Sequence, residues 1–228
     1  MESMEQVLRQ GLLDLDLTLT DAQVENLLAY LALIQKWTKV YNLTAVRNPL
    51  EMLTHHLLDS LAVIKPLQHQ LMSTSVGWGG GTDAALQATR LLDVGSGAGL
   101  PGVVIAICCP HITVHCVDTV AKKAAFIQQV ALTLKLPNLR GVHARVESLT
   151  DQYQVISSRA FASLVDFTNW SAAALAEQGI WMAMKGKHPA DELLALPPGV
   201  TVFHVEQLTV PGLNAERCIL WMRPSVVG

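Results

Sequence analysis

From Arg90 onward the chain alternates strand-like runs with helical stretches, and this alternation restricts the fold more than any other feature of its 228 residues. "RLLDV", "ITVHCVD", "LRGVHAR", "YQVISS", "GIWMAMK", "VTVFHVEQL" and "RCILWMR" read as seven strands. Helical stretches follow the first several, over 100–109, 120–135 and 164–177. A strand that is followed by a helix re-enters the sheet parallel to itself and lays that helix on a sheet face. Only "TVPGLNAE" separates the last two strands, so they are expected to pair as an antiparallel hairpin. The expected fold is α/β: a mostly parallel seven-stranded sheet with helices on both faces and an antiparallel carboxyl-terminal hairpin.

Upstream of Arg90 the pattern is helical. Thr20-Asp21-Ala22-Gln23 fits a capping box, and Val24, Leu27, Leu28, Leu31 and Ile34 recur at helical spacing, which predicts one amphipathic helix to about Lys39. Asn48 then offers a cap, Pro49 suits the first helical position, and Glu51 sits where a capping acid belongs. Leu53, Leu57, Leu61 and Ile64 form an apolar stripe that is expected to end before Pro66. Between Gln68 and Thr89 the periodicity dissolves, and "SVGWGGGTD" reads as a connector whose Trp78 makes a docking contact. The expected organisation is a helical extension over 1–67 packed on the core, a glycine-rich connector over 68–89, and a catalytic core over 90–228.

Composition removes several function classes. Half the residues are hydrophobic and 15% are charged, which marks a globular protein rather than a disordered one. The longest apolar run, Val103 to Cys109, is far short of the ~20 residues that a membrane helix needs. "MESMEQVLRQ" lacks a basic segment followed by an apolar block, so a cytoplasmic protein without membrane attachment is expected. Cys108, Cys109, Cys116 and Cys218 lie in apolar stretches without C-x-x-C spacing and read as buried thiols; no metal site is expected. The net charge of −3 gives no global attraction to nucleic acid, so any RNA contact must come from a local basic patch.

The chemistry is concentrated in "RLLDVGSGAGLPG", residues 90–102. In a doubly wound sheet, ligands sit beyond the carboxyl ends of the strands, commonly above the first. Asp93, Gly95, Gly97 and Gly99 occupy that place, and a helix starting near Leu100-Pro101 adds free N–H groups. Dinucleotide loops follow G-x-G-x-x-G; here the third position is Leu100. The observed G-x-G-x-G preceded by an acid resembles the first motif of class I S-adenosylmethionine methyltransferases. Asp118, ending "HCVD", is placed to accept hydrogen bonds from both ribose hydroxyls, a role open to a nicotinamide nucleotide and to a methyl donor. Val146-Glu147, after the third strand, stands at the usual level of an adenine, while Glu147 also reads as a solvated loop carboxylate.

Methyl transfer from a sulfonium is an in-line displacement that requires aligned reactants. A pyrimidine-C5 enzyme needs a covalent cysteine, and "CCP" lies on the wrong element for one. Amino-group enzymes usually carry Asn/Asp-Pro-Pro-aromatic after the fourth strand, where this chain has "SSRAFASL". Guanine N7 has a free lone pair and no proton, so it demands no general base. The lack of an acid/base constellation is consistent with that acceptor.

"YNLTAV", "HLLDSL", "LLDVGSGAGLPG", "SSRAFASL" and "MKGKHPADEL", in this order, resemble the bacterial glucose-inhibited division protein B family (GidB or RsmG), the 16S rRNA guanine-N7 methyltransferases. The resemblance runs from about Thr20 to Met222. It implies a class I, Rossmann-like fold, S-adenosyl-L-methionine as cofactor, and 16S rRNA of the small ribosomal subunit as partner. The family's cofactor contacts would fall on Gly95, Leu100, Val146, Glu147 and Arg159, with Asp118 on the ribose. Arg159 can hold a carboxylate or a phosphate, or form a structural ion pair. The "GWGGGTDAALQ" stretch is longer than the usual connector.

His56 and Asp59, three residues apart, can touch each other or support the cofactor pocket; His55 is expected to face solvent. Tyr41 and Asn42 read either as base contacts or as a packed ring and a turn residue. Lys36, Lys39 and Arg47, with Lys185, Lys187 and His188, form two candidate basic rims around one RNA-binding cleft. Two competing readings are an NAD(P)-dependent oxidoreductase, and a non-catalytic RNA-binding protein that senses the methyl donor.

Overall fold

The computed structural model describes residues 3–75 and 89–225. Trp78 and most of the glycine-rich segment lie outside the described residues.

Helix α1 (Met4–Asp14) starts at a capping box of Ser3 and Gln6. Helix α2 (Asp21–Tyr41) starts at the expected one, with Thr20 accepting from the Gln23 amide and Gln23 reaching back to the Thr20 N–H. It ends where Asn42 turns left-handed. Asn48 caps α3 (Pro49–Met52), which continues through a π-helical stretch over Leu53–Leu58 into α4 (Asp59–Leu61).

The apolar stripe does not end at Pro66. Helix α5 (Ile64–Ser75) begins just before that proline and carries it within its first turn, where a missing N–H costs no hydrogen bond. Leu67 and Leu71 extend the stripe into the core, so residues 68–75, expected as connector, are helical.

The seven strands are β1 (Arg90–Val94), β2 (Thr113–Asp118), β3 (Leu139–His143), β4 (Tyr153–Arg159), β5 (Leu175–Lys185), β6 (Val200–Leu208) and β7 (Arg217–Pro224). They form one sheet in the order β3-β2-β1-β4-β5-β7-β6. The first five run parallel, and β7 lies antiparallel between β5 and β6. Between strands lie α6 (Gly102–Cys108), α7 (Ala121–Thr133), α8 (Leu164–Ser171) and α9 (Ala190–Leu194).

The stretch 164–177, expected as one helix, stops at Ser171; after a short 3-10 turn, β5 begins at Leu175. Pairing of Leu175 with Tyr153 overrides the helical preference of the alanines, and the Trp181 indole N–H fixes the exit by donating to Ser171 Oγ at 2.9 Å.

Alternation along the strands sorts the core into two layers. Leu91, Val155, Met182, Ile219 and Trp221 join one cluster with α1, α2, α5, α6 and α7. Leu92, Ile156, Trp181, Leu220 and Met222 join the other, with α8. The amino-terminal helices thus share a continuous core with the sheet. Each fully buried Leu or Ile in it is worth about 1.5–3 kcal/mol. A buried hydrogen bond fixes the junction: the Tyr30 hydroxyl of α2 donates to the Ala98 carbonyl at 2.6 Å, inside the glycine loop.

Candidate active site

The glycine loop leaves the carboxyl end of β1, and Gly95, Gly97 and Gly99 all take left-handed backbone conformations. At Gly95, φ is +64°, and a Cβ would stand 2.4 Å from a ring carbon of Phe161, so both backbone and neighbour demand glycine. The Gly95 N–H donates to the Val117 carbonyl at 2.9 Å, which ties the loop to β2.

Asp93 lies under the loop. It is fully buried, accepts the Gly102 N–H at 3.0 Å and the Ser157 hydroxyl at 2.9 Å, and holds the start of α6 against β1 and β4. Burial pushes its pKa up to about 7 against the pull of those two donors. Asp93, expected as a cofactor contact, is not among the cavity-lining residues; it positions the loop. Leu100 likewise turns its side chain into the core.

A cavity of about 340 Å³ opens over β1, β2 and the end of β3, within the ~300–1,000 Å³ range of small-molecule sites. Val94, Val117, Val146, Phe161 and Trp170 give it apolar walls, and Gly95, Asp118 and Glu147 reach it from the loops. Phe161 meets Trp170 edge-on at 5.8 Å. Asp118 is only 6% exposed. Its Oδ2 accepts the Gly97 N–H at 3.1 Å and its Oδ1 the Val120 N–H at 2.8 Å, with the Lys123 ammonium 3.7 Å away. A carboxylate has about four acceptor positions, so both oxygens retain capacity for a ligand's hydroxyls.

The structure therefore brings Gly95, Asp118, Val146 and Glu147 together at one cavity and uses Gly97 to orient Asp118. Gly99 and Leu100 shape the turn behind them. Lys123, Arg145, Phe161 and Trp170 also line the cavity and were not singled out in the sequence. Their only signal there is position just after strands or on the following helices.

Arg159 lines a second cavity, of about 380 Å³, over the ends of β4 and β5. Its Nη1 donates to Asp59 Oδ2 at 2.9 Å and to the His55 carbonyl at 3.0 Å, while Arg217 Nε donates to Asp59 Oδ1 at 2.7 Å. Asp59 thus takes two arginines rather than His56. His56 Nε2 lies 2.8 Å from Thr44 Oγ1, and its pKa is pushed down to about 4, first by burial and then by the Arg159 charge. His55 is exposed, as expected.

The two expected basic rims do not close around one cleft. Lys36 lines a separate groove with Trp37, Val40 and Tyr41, where the Lys122 ammonium lies over the Tyr41 ring. Lys39 is exposed, and Arg47 donates to the Thr44 carbonyl and to Asn42, bracing its own loop. Lys185 reaches the second cavity but is paired with Glu192 at 2.8 Å, whereas Lys187 and His188 are exposed beyond it. The four cysteines are buried and free, and burial raises the pKa of each. Among the described residues no cluster of His, Cys, Asp and Glu is placed to hold a metal, and no helix is long and apolar enough to cross a membrane.

Comparison with known proteins places this architecture. The family model described as GidB, rRNA small subunit methyltransferase G, matches residues 23–220. Ribosomal RNA small subunit methyltransferase G of Albidiferax ferrireducens is 70% identical over 227 residues, covering 100% of both chains. The protein of the same name from Polaromonas naphthalenivorans is 65% identical over 223 residues, covering 98% of this chain and 97% of its own. Among solved structures, TrmN from Thermus thermophilus aligns with a TM-score of 0.50 at 20% identity, covering 60% of this chain and 44% of its own, a likeness of fold alone. With a match that runs from the second helix through the last strand and takes in both cavities, this chain belongs to the GidB family of rRNA small subunit methyltransferases.

Proposed function

We propose that the chain transfers the methyl group of S-adenosyl-L-methionine to N7 of a specific guanine in 16S rRNA. The observation that carries this reading is Asp118. It is a nearly buried carboxylate, locked by two backbone N–H groups, at the mouth of an apolar-walled cavity beside a left-handed glycine loop.

The residues suit this cofactor. Asp118 would take the ribose hydroxyls; Val146, Val117 and Phe161 would enclose the adenine; and the glycine loop would face the amino-acid tail. The cofactor, when bound, supplies an electrophilic methyl group on a sulfonium. The protein's own task is then to hold the purine in line and keep water out, because N7 carries no proton to remove. A pyrophosphate fits poorly, since Leu100 replaces the third glycine and its side chain is buried behind the loop. This speaks against the NAD(P)-dependent oxidoreductase.

Guanine N7 lies on the major-groove edge, which A-form RNA hides in a deep, narrow groove. The target guanine is therefore unpaired, opened or flipped out when it meets the site. A ribosomal substrate also places the enzyme in the cytoplasm.

The test is transfer of labelled methyl from S-adenosyl-L-methionine to small-subunit rRNA. Label is expected in the RNA and lost when the target guanine is replaced. Label that persists after that replacement would refute the N7 assignment, and binding of both ligands without turnover would favour a non-catalytic sensor.

A further inference from the structure

We infer that the second cavity is a phosphodiester seat for the RNA strand carrying the acceptor purine, built by Arg159 and Arg217 on the shared counter-ion Asp59. This inference rests on the proposed rRNA methyl transfer and adds a subsite to it.

The argument begins with charge. Two guanidinium groups share one carboxylate. Lys185, at the same cavity, is balanced by Glu192. His56, pushed down to about 4, is neutral at physiological pH. The side chains facing the cavity therefore carry one unbalanced positive charge.

Hydrogen-bond capacity points the same way. Each guanidinium has five N–H donors in a rigid fork. Arg159 engages Asp59 and the His55 carbonyl through one nitrogen, Nη1. Arg217 engages Asp59 through Nε and the Glu216 carbonyl through Nη1. These bonds hold both planes in place and leave further N–H groups available to a ligand. The side chains are 21% and 24% exposed, so the donors have access to the 380 Å³ space while their aliphatic stems are fixed in the protein. Pre-oriented, charge-assisted donors of this kind suit the oxygens of a phosphate.

Position selects RNA as its source. The cavity lies over β4 and β5, next to the cofactor cavity over β1 and β2. The chain passes directly from one to the other, because Ala160 lines the second cavity and Phe161 the first. A phosphate seated on the arginines thus sets the backbone of the strand beside the place where the methyl group is presented. The rival anion is the carboxylate of the cofactor's amino-acid tail, which the experiment separates.

The test compares wild type with Arg217→Gln, and with Arg217→Lys, which keeps the charge beside Asp59 but lacks the fork. Melting curves first establish that each variant folds. Binding to unmodified small-subunit rRNA is then measured against salt, and S-adenosyl-L-methionine binding by calorimetry. For one lost phosphate contact on a single strand, the slope of log K against log salt is expected to flatten by about 0.7 in Arg217→Gln. Arg217→Lys is expected to keep the slope with weaker RNA binding, and cofactor affinity to stay unchanged in both. An unchanged slope and RNA affinity in a folded Arg217→Gln protein would overturn the inference. So would a selective loss of cofactor affinity, which would assign the arginines to the cofactor's carboxylate. Failure of wild type to methylate rRNA, with the slope change intact, would instead refute the proposed reaction.

Discussion

Replacing Asp93 by Asn tests the physical account of the glycine loop. In the folded protein burial raises this carboxyl from 3.8 to about 7. Below pH 4 both folded and unfolded chains hold the proton, and Asp93 adds no pH dependence. Between about pH 4 and 7 the unfolded chain has released it and the folded chain has not, so rising pH favours unfolding; above pH 7 the loss is complete. A difference of about 3 pH units corresponds to about 4 kcal/mol. His56 acts in the opposite sense: its folded pKa is lowered to about 4, so the stability it contributes falls as pH drops from 6.5 to 4. In wild type the two slopes largely cancel over that window.

Asn resembles the protonated acid. It can still accept the Gly102 N–H, and the Ser157 hydroxyl can turn to accept from its amide. Urea unfolding from pH 4.5 to 8 is therefore expected to show Asp93→Asn gaining on wild type with rising pH, by about 4 kcal/mol at pH 8, or ~10 °C in Tm for a chain of this length. It should also expose the His56 slope, with stability rising from pH 4 to 6.5. If the difference between the two proteins does not vary with pH, Asp93 does not titrate as its burial requires and the reasoning fails.

Gly95→Ala forces a left-handed alanine, costing about 1–2 kcal/mol, and drives a methyl group into Phe161. Calorimetry is expected to show S-adenosyl-L-methionine binding at least ~10-fold weaker by that strain alone. Asp118→Asn turns an amide donor against the N–H of Gly97 or Val120, an unfavourable pairing of about 1–3 kcal/mol; equal cofactor affinity in variant and wild type would remove Asp118 from the site. Tyr30→Phe leaves the Ala98 carbonyl without its buried donor, a loss of about 1 kcal/mol that calorimetric melting should register as a Tm lower by about 2–4 °C.

The site was legible where chemistry and local geometry coincide. Gly95 and Asp118 each follow a strand, and their types suit the conformations and hydrogen bonds that they make. Asp93 was also visible, but its role was not: an acid before a glycine loop can face a ligand or hold the turn, and only the Gly102 and Ser157 donors decide between these. Phe161 and Trp170 carry no pattern that separates a cavity wall from core. Lys185 reads as a surface cation until the fold brings Glu192 to it.

Strand and helix periodicity, capping residues and glycine spacing act over a few neighbours, so the chain's own text determined the α/β alternation, the starts of the second and third helices, and the loop after the first strand. Tertiary structure alone decided that α5 continues past Pro66, that β7 inserts between β5 and β6, and that Asp59 meets Arg159 and Arg217 across 100 and 158 residues. The physical reason is range. Propensity is spent within a turn or two of backbone, whereas ion pairs and cavities depend on which surfaces the whole core brings face to face.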